Sequence, residues 1–170
     1  MPRAGVTPAR ILDEAEVLVD VVGLEGLTLS AIADKLGIRI PSLYKHIEGL
    51  PRLQRDIAVS AKRELAVVLH RAADGKSGPD AITGMAHALR SWALAHPGRY
   101  AATVRAPQPG DTDDEAASAA ATEVVFAALA AFDLGGSDAV DATRGLRSVL
   151  HGFVALELAD GFGMPEAVDR

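Results

Sequence analysis

The part of this chain that most limits what it can fold into is residues 28–47, TLSAIADKLGIRIPSLYKHI. Thr28 can cap a helix, because its hydroxyl accepts a backbone N–H that the first turn leaves without a partner. Leu29, Ile32, Ala33 and Leu36 then recur at helical spacing and define one apolar face. Gly37 stands where a helix closes on a left-handed residue, and Ile38 returns to the core. A second short helix opens at Ile40 and Pro41, where proline's missing N–H costs nothing. Leu43 and Ile47 point inward from it. Arg39, Ser42, Tyr44, Lys45 and His46 are left mostly outward. Two short helices joined by such a turn form the unit that sets its second helix in a DNA major groove.

The chain around this stretch reads as all-α. Thr7-Pro8 is a cap and first-turn proline. Ile11, Leu12, Ala15, Leu18, Val19 and Val22 form a stripe, with Asp13, Glu14, Glu16 and Asp20 expected to face water. Gly23 and Gly26 frame the turn that follows, so three helices make a small head. Residues 1–6 read as a short arm in which Arg3 either reaches a phosphate or is simply a loose terminus. Past Gly49, a long helix over 50–73 has Leu53, Ile57, Ala61, Leu65, Val68 and Leu69 inward and connects the head to the rest. Further helices are expected over 80–96, 99–105, 116–132 and 138–159. A turn-forming linker lies at 74–79 and a polar loop at 106–115. No stretch alternates as a strand would. The expected architecture is an N-terminal helix-turn-helix domain, 1–50, and a helical bundle, 51–170, for ligand binding and dimerisation.

Charge distribution qualifies a DNA-binding reading. The net charge is −6, but residues 1–63 carry 9 Lys+Arg and 8 Asp+Glu, and the remainder 8 and 15. The acid is therefore expected away from the helix-turn-helix. A head with so small a surplus implies modest non-specific DNA affinity and a need for two copies. Cysteine is absent, which excludes disulfides and thiolate chemistry. The N-terminus lacks an apolar signal segment, and no apolar run is expected to approach the ~18–20 residues that span a membrane. A cytoplasmic protein is the expectation.

Ile32-Ala33, Leu36-Gly37-Ile38 and Leu43-Tyr44-Lys45-His46 resemble the DNA-binding domain of tetracycline-repressor-type (TetR-type) regulators. His96-Pro97-Gly98-Arg99-Tyr100 and Leu150-His151-Gly152-Phe153 resemble the regulatory domain of a TetR subgroup named for a tryptophan-histidine-glycine (WHG) signature. The resemblance implies that Thr28 caps the first helix of the motif and touches a phosphate. It sets Arg39, Ile40, Pro41 and Ser42 at base edges, and Tyr44, Lys45 and His46 on phosphates or bases. These residue types suit the roles. Lys and Arg neutralise phosphate, Ile40 and Pro41 can meet a thymine methyl, and Arg39 can pair with guanine. Relatives often carry a phosphate-gripping lysine where this chain has Leu50. Arg52 or the backbone N–H groups near Pro51 are the candidates to replace it.

In the second region, His87, Trp92, His96, Tyr100, Phe126 and His151 are candidates for a ligand pocket between bundle helices. Each also has a plainer reading as core, helix cap or packing residue. Glu157, Arg90 and Arg99 could supply polar contacts. The three histidines lack metal-ligand spacing. The DTDDE run at 111–115 lacks calcium-loop spacing and reads as a solvated loop entering a helix. No catalytic motif and no cofactor motif is present. The expected function is a ligand-responsive transcriptional regulator that binds a palindromic operator as a homodimer; that it is a repressor, released from the operator by a small-molecule effector, is what the resemblance implies. Its half-sites would lie ~34 Å or more apart, and helices 116–132 and 138–159 would form the dimer seam. The alternatives are a small-molecule binding protein of the same fold without operator binding, and an all-α enzyme with convergent acids or histidines.

Overall fold

The computed structural model describes residues 6–163; the expected role of Arg3 lies outside them. The described residues form eight α-helices and no strand. They are α1 (Pro8–Gly26), α2 (Leu29–Leu36), α3 (Ile40–Leu43), α4 (Leu50–Ala73), α5 (Gly78–Ala95), α6 (Pro97–Thr103), α7 (Thr112–Leu129) and α8 (Gly136–Leu158). A 3-10 turn, Ala130–Phe132, follows α7. Most boundaries fall where proline, glycine and capping residues put them. Thr7 Oγ1 accepts the Arg10 N–H at 3.2 Å, and α1 breaks at Gly23.

The chain divides into two compact units. One takes residues 6–67 and 96–121, the other 68–95 and 122–163. The division therefore differs from a cut at residue 50. The first part of α4, all of α6 and the start of α7 belong with the head.

The core of the head unit is built from Ile11, Ala15 and Val19 of α1, Ile32 and Ala33 of α2, Leu43 of α3, and Leu53, Ile57 and Ala58 of α4. Burying such side chains stabilises by about 1.5–3 kcal/mol each for the larger aliphatics, and it fixes α3 to α4. α6 closes on α1 at close range. A Cβ on Gly98 would lie 1.9 Å from the Val19 carbonyl oxygen, so only glycine fits there. Arg99 completes the junction. Its backbone N–H and Nε each donate to Asp20 at 2.8 Å, and a further guanidinium nitrogen donates to Glu64 at 2.8 Å. Asp20 and Glu16, expected in water, are instead partly buried at this junction.

In the other unit α5 packs on α8. Met85, Leu89, Trp92 and Ala93 are buried, as are Leu129, Ala139 and Val154. Several apolar residues of α8 stay exposed in the single chain, with Val149 at 69% and Phe153 and Leu156 also open.

Two expectations about the region after α6 need correction. α7 begins at Thr112, four residues before the expected 116, because Asp111 caps it and the acids of 113–115 favour a helix start. With its 3-10 turn, α7 also spans 112–132, long and apolar enough by length and composition to cross a membrane, and 17% of an 18-residue window in it is buried. Alanine supplies much of that hydropathy, with few large apolar residues among it.

Candidate nucleic-acid interface

The helix-turn-helix forms from its caps inward. Thr28 Oγ1 accepts the Ala31 N–H at 3.2 Å and opens α2. Gly37 closes it at φ 66°, left-handed backbone that favours glycine. The Gly37 N–H then reaches Asp34 O at 3.1 Å and the Ile38 N–H reaches Ala33 O at 3.0 Å. These bonds satisfy the last carbonyls of α2 and turn the chain sharply into α3.

α3 is short, with regular helix over 40–43 and turns over 44–46. Its bonds run from Ser42 N–H to Arg39 O at 2.8 Å and from Ile47 N–H to Leu43 O at 3.0 Å. Leu43 is fully buried and anchors the segment. Thr28, Arg39, Ile40, Pro41, Tyr44, Lys45 and His46 are exposed, and Ser42 is half-buried. Tyr44 is 58% exposed. Among the described residues neither Arg39 nor Lys45 has an ion-pair partner. The segment thus offers two uncommitted cations, a phenol and two small apolar side chains on a rigid support.

The start of α4 differs from this. Leu50 is half-buried and packs on the head core. Arg52, one candidate to stand in for a lysine there, holds Asp56 at 3.2 Å. A groove of about 460 Å³ opens beside it, lined in part by Pro8, Leu12, His46, Arg52, Arg55 and Arg63.

The acidic run 111–115 is not a solvated loop. Asp114 is fully buried and bonded to Lys62 at 2.6 Å. Asp111 lies on Arg55, whose guanidinium holds its carboxyl well below the usual carboxylate range. The run folds back on the head, so the acid does not sit apart from it. Residues 1–67 and 96–121 carry 11 Lys+Arg against 13 Asp+Glu.

The pocket candidates fall in two places. His96 and Tyr100 belong to the head unit. His96 precedes α6 without capping it through its side chain; Arg99 donates to its Nδ1, and Asp20 lies 3.3 Å from that nitrogen. Tyr100 is buried. His87, Trp92, Phe126 and His151 belong to the other unit, where Trp92 is buried, Phe126 and His151 are half-buried and His87 is exposed. Burial, with Arg147 nearby, pushes His151 below the usual histidine value. Among the described residues a Cβ on Gly152 would meet nothing within 4 Å, so this glycine does not mediate close helix packing among them. Arg90 and Glu157 neutralise each other, Nε to Oε2 at 2.7 Å. Among the described residues no three His, Cys, Asp or Glu side chains group to hold a metal ion.

A head of three short helices with a capped turn and an exposed cationic second helix, carried on a longer helical chain, defines a helix-turn-helix protein of the regulator class. Residues 82–170 match the family described as tetracyclin repressor-like, C-terminal domain. The chain is 37% identical over 169 residues to the HTH-type transcriptional regulator Rv0681 of Mycobacterium tuberculosis, covering 92% of this chain and 78% of that one. It is 31% identical over 171 residues to the HTH-type transcriptional regulator YobS of Bacillus subtilis, covering 98% and 87%. The crystal structure of regulatory protein SCO4313 superposes with a TM-score of 0.75 at 32% identity, covering 94% of this chain and 88% of that one. The chain belongs to the TetR family of helix-turn-helix transcriptional regulators; it is a regulator and not an enzyme.

Proposed function

We propose that this chain is a homodimeric repressor that holds a palindromic operator in the cytoplasm and leaves it when a small-molecule effector binds. The observation that carries the reading is the outward set on 39–46, with Arg39 and Lys45 uncommitted and Tyr44 open on a capped, core-anchored segment. In this role Arg39, Ile40, Pro41 and Ser42 read base edges. Tyr44, Lys45, His46 and Thr28 set the register on phosphates. Dimerisation through α7 and α8 is supported by the exposed Val149, Phe153 and Leu156 and by the open alanine surface of 112–132. A partner helix pair that covers such a surface gives a four-helix seam. An effector site among Trp92, Phe126, His151 and their neighbours is supported by family membership and by the mixed apolar and polar chemistry there. The 96–100 and 150–153 blocks support placing the chain in the WHG subgroup.

The test is binding to DNA from upstream of its own gene, measured by fluorescence anisotropy against a scrambled duplex over a salt series. Lys45→Ala should weaken both and reduce the salt slope by about 1. Arg39→Ala should cost about 1–3 kcal/mol and relax discrimination between the two. A second reading, a small-molecule binding protein without operator binding, draws on the acidic balance of the head unit. It predicts no preference for the upstream fragment at any salt, and unchanged behaviour of both variants.

A further inference from the structure

α4 and α7 are the helices that run through both units. α4 passes from residue 67 to 68 and α7 from 121 to 122 without interruption. Inside the head unit they are tied by charge. Arg55 donates Nε to Asp111 Oδ2 at 2.8 Å, binds Oδ1 through a second nitrogen, and reaches Asp113 at 3.3 Å. Two turns along, Lys62 donates to Asp114 Oδ1 at 2.6 Å. The lysine side chain is 5% exposed and the aspartate 0%, and Arg105 lies 3.0 Å from the other aspartate oxygen. Asp111 also caps α7, accepting the Asp114 N–H at 3.2 Å. The residue that starts α7 is therefore the one that fastens it to α4.

Buried ion pairs are a poor way to gain stability, since well-packed apolar residues of the same volume do as well or better. What they supply is position, because a bidentate guanidinium–carboxylate pair fixes both distance and orientation. The position fixed here matters to the head. Arg55 also holds Asp56, which holds Arg52. Leu53 and Ile57, on the neighbouring face of the same two turns, pack in the core that anchors Leu43 of α3.

We propose that Arg55–Asp111 and Lys62–Asp114 form an ionic latch through which α7 sets the seat of α4 and, with it, the presentation of α3. A displacement of α7 then reaches the recognition segment through α4 and the core that Leu53 and Ile57 share with Leu43. The latch stands on contacts within the head; its effect on DNA rests on the operator reading above.

Asp111→Asn separates the latch from the cap, because asparagine caps as well as aspartate but cannot hold a guanidinium by charge. The full chain, wild type and variant, is compared by amide hydrogen exchange and by anisotropy on the upstream duplex. The latch predicts exchange at least about threefold faster across 40–57 as well as at 110–118, and an affinity changed by at least about threefold. Faster exchange confined to 110–118 would show a merely local brace and overturn the proposal. So would wider exchange with unchanged affinity where the wild type binds. If the wild type itself shows no preference for the duplex, the operator reading fails, and the exchange result alone decides the latch. Should Asp111→Asn not fold, the paired replacement Lys62→Met with Asp114→Leu gives the same comparison in an apolar background.

Discussion

Glu16 shows what one partly buried carboxyl does to the head. Its Oε1 is buried without a hydrogen-bond partner among the described residues. Burial raises its pKa above 4.5; a bond to Ser60 and the charge of Arg99 oppose the rise, and Glu64 and Asp13 add to it. The folded value lies above the unfolded one, so the fold penalises the charged form. That penalty is complete above the folded pKa and is relieved as pH falls through it toward 4.5. Glu16→Gln removes the charge and keeps the shape. It should raise the urea midpoint of the full chain at neutral pH, and the gain should shrink to nothing near pH 4.5. A gain that does not vary with pH would assign the effect to packing. Asp111 runs the other way. Arg55 depresses its pKa, so the contribution is present above the ordinary aspartate range and is lost only in strong acid. The Arg55–Asp111 pair is therefore charged throughout the neutral range.

At the scale of elements, what was legible in the sequence was what local chemistry encodes. The limits of α2 follow from Thr28 and Gly37, and α4 runs as expected because its apolar residues keep helical spacing. The place of the acidic run depends instead on partners 52 and 56 residues away in the chain. Periodicity and caps say nothing of such pairings. One signal was present: Lys62 falls on the face of α4 that also carries Ala58, Leu65 and Ala66. A lysine there needs a carboxylate, and helical spacing puts neither Asp56 nor Glu64 of its own helix on that face. The α1–α6 junction was hidden for the same reason. Gly98 lies in the gap between the helices expected over 80–96 and 99–105, and its role is to let α6 approach Val19. Gly98→Ala should destabilise the head by at least about 3 kcal/mol, because backbone meets backbone and no side chain can yield. Chemical denaturation followed by circular dichroism would measure it. A loss under about 1 kcal/mol would mean that α6 can withdraw cheaply.

For the molecule as a whole, family and fold class were legible from a few short blocks, while assembly was written only as a surplus. Val149, Phe153 and Leu156 recur at helical spacing on α8 and stay open in one chain. A soluble helix gains nothing from keeping that row in water. Val149→Asp together with Leu156→Asp should turn a dimer into a monomer in sedimentation experiments and weaken operator binding by more than about tenfold, since one head alone must then supply the affinity. A monomeric wild type would remove the basis of this prediction and of the palindrome.

The acidic return of 111–115 onto the head has a further consequence under the operator reading. A chromosome offers a vast excess of wrong sites, and most regulators spend their time on them because cations bind any phosphate. A head whose own carboxylates match its cations is a poor customer for bulk DNA. Few copies are then lost to the rest of the genome, and occupancy of the correct site follows the number of molecules in the cell more directly.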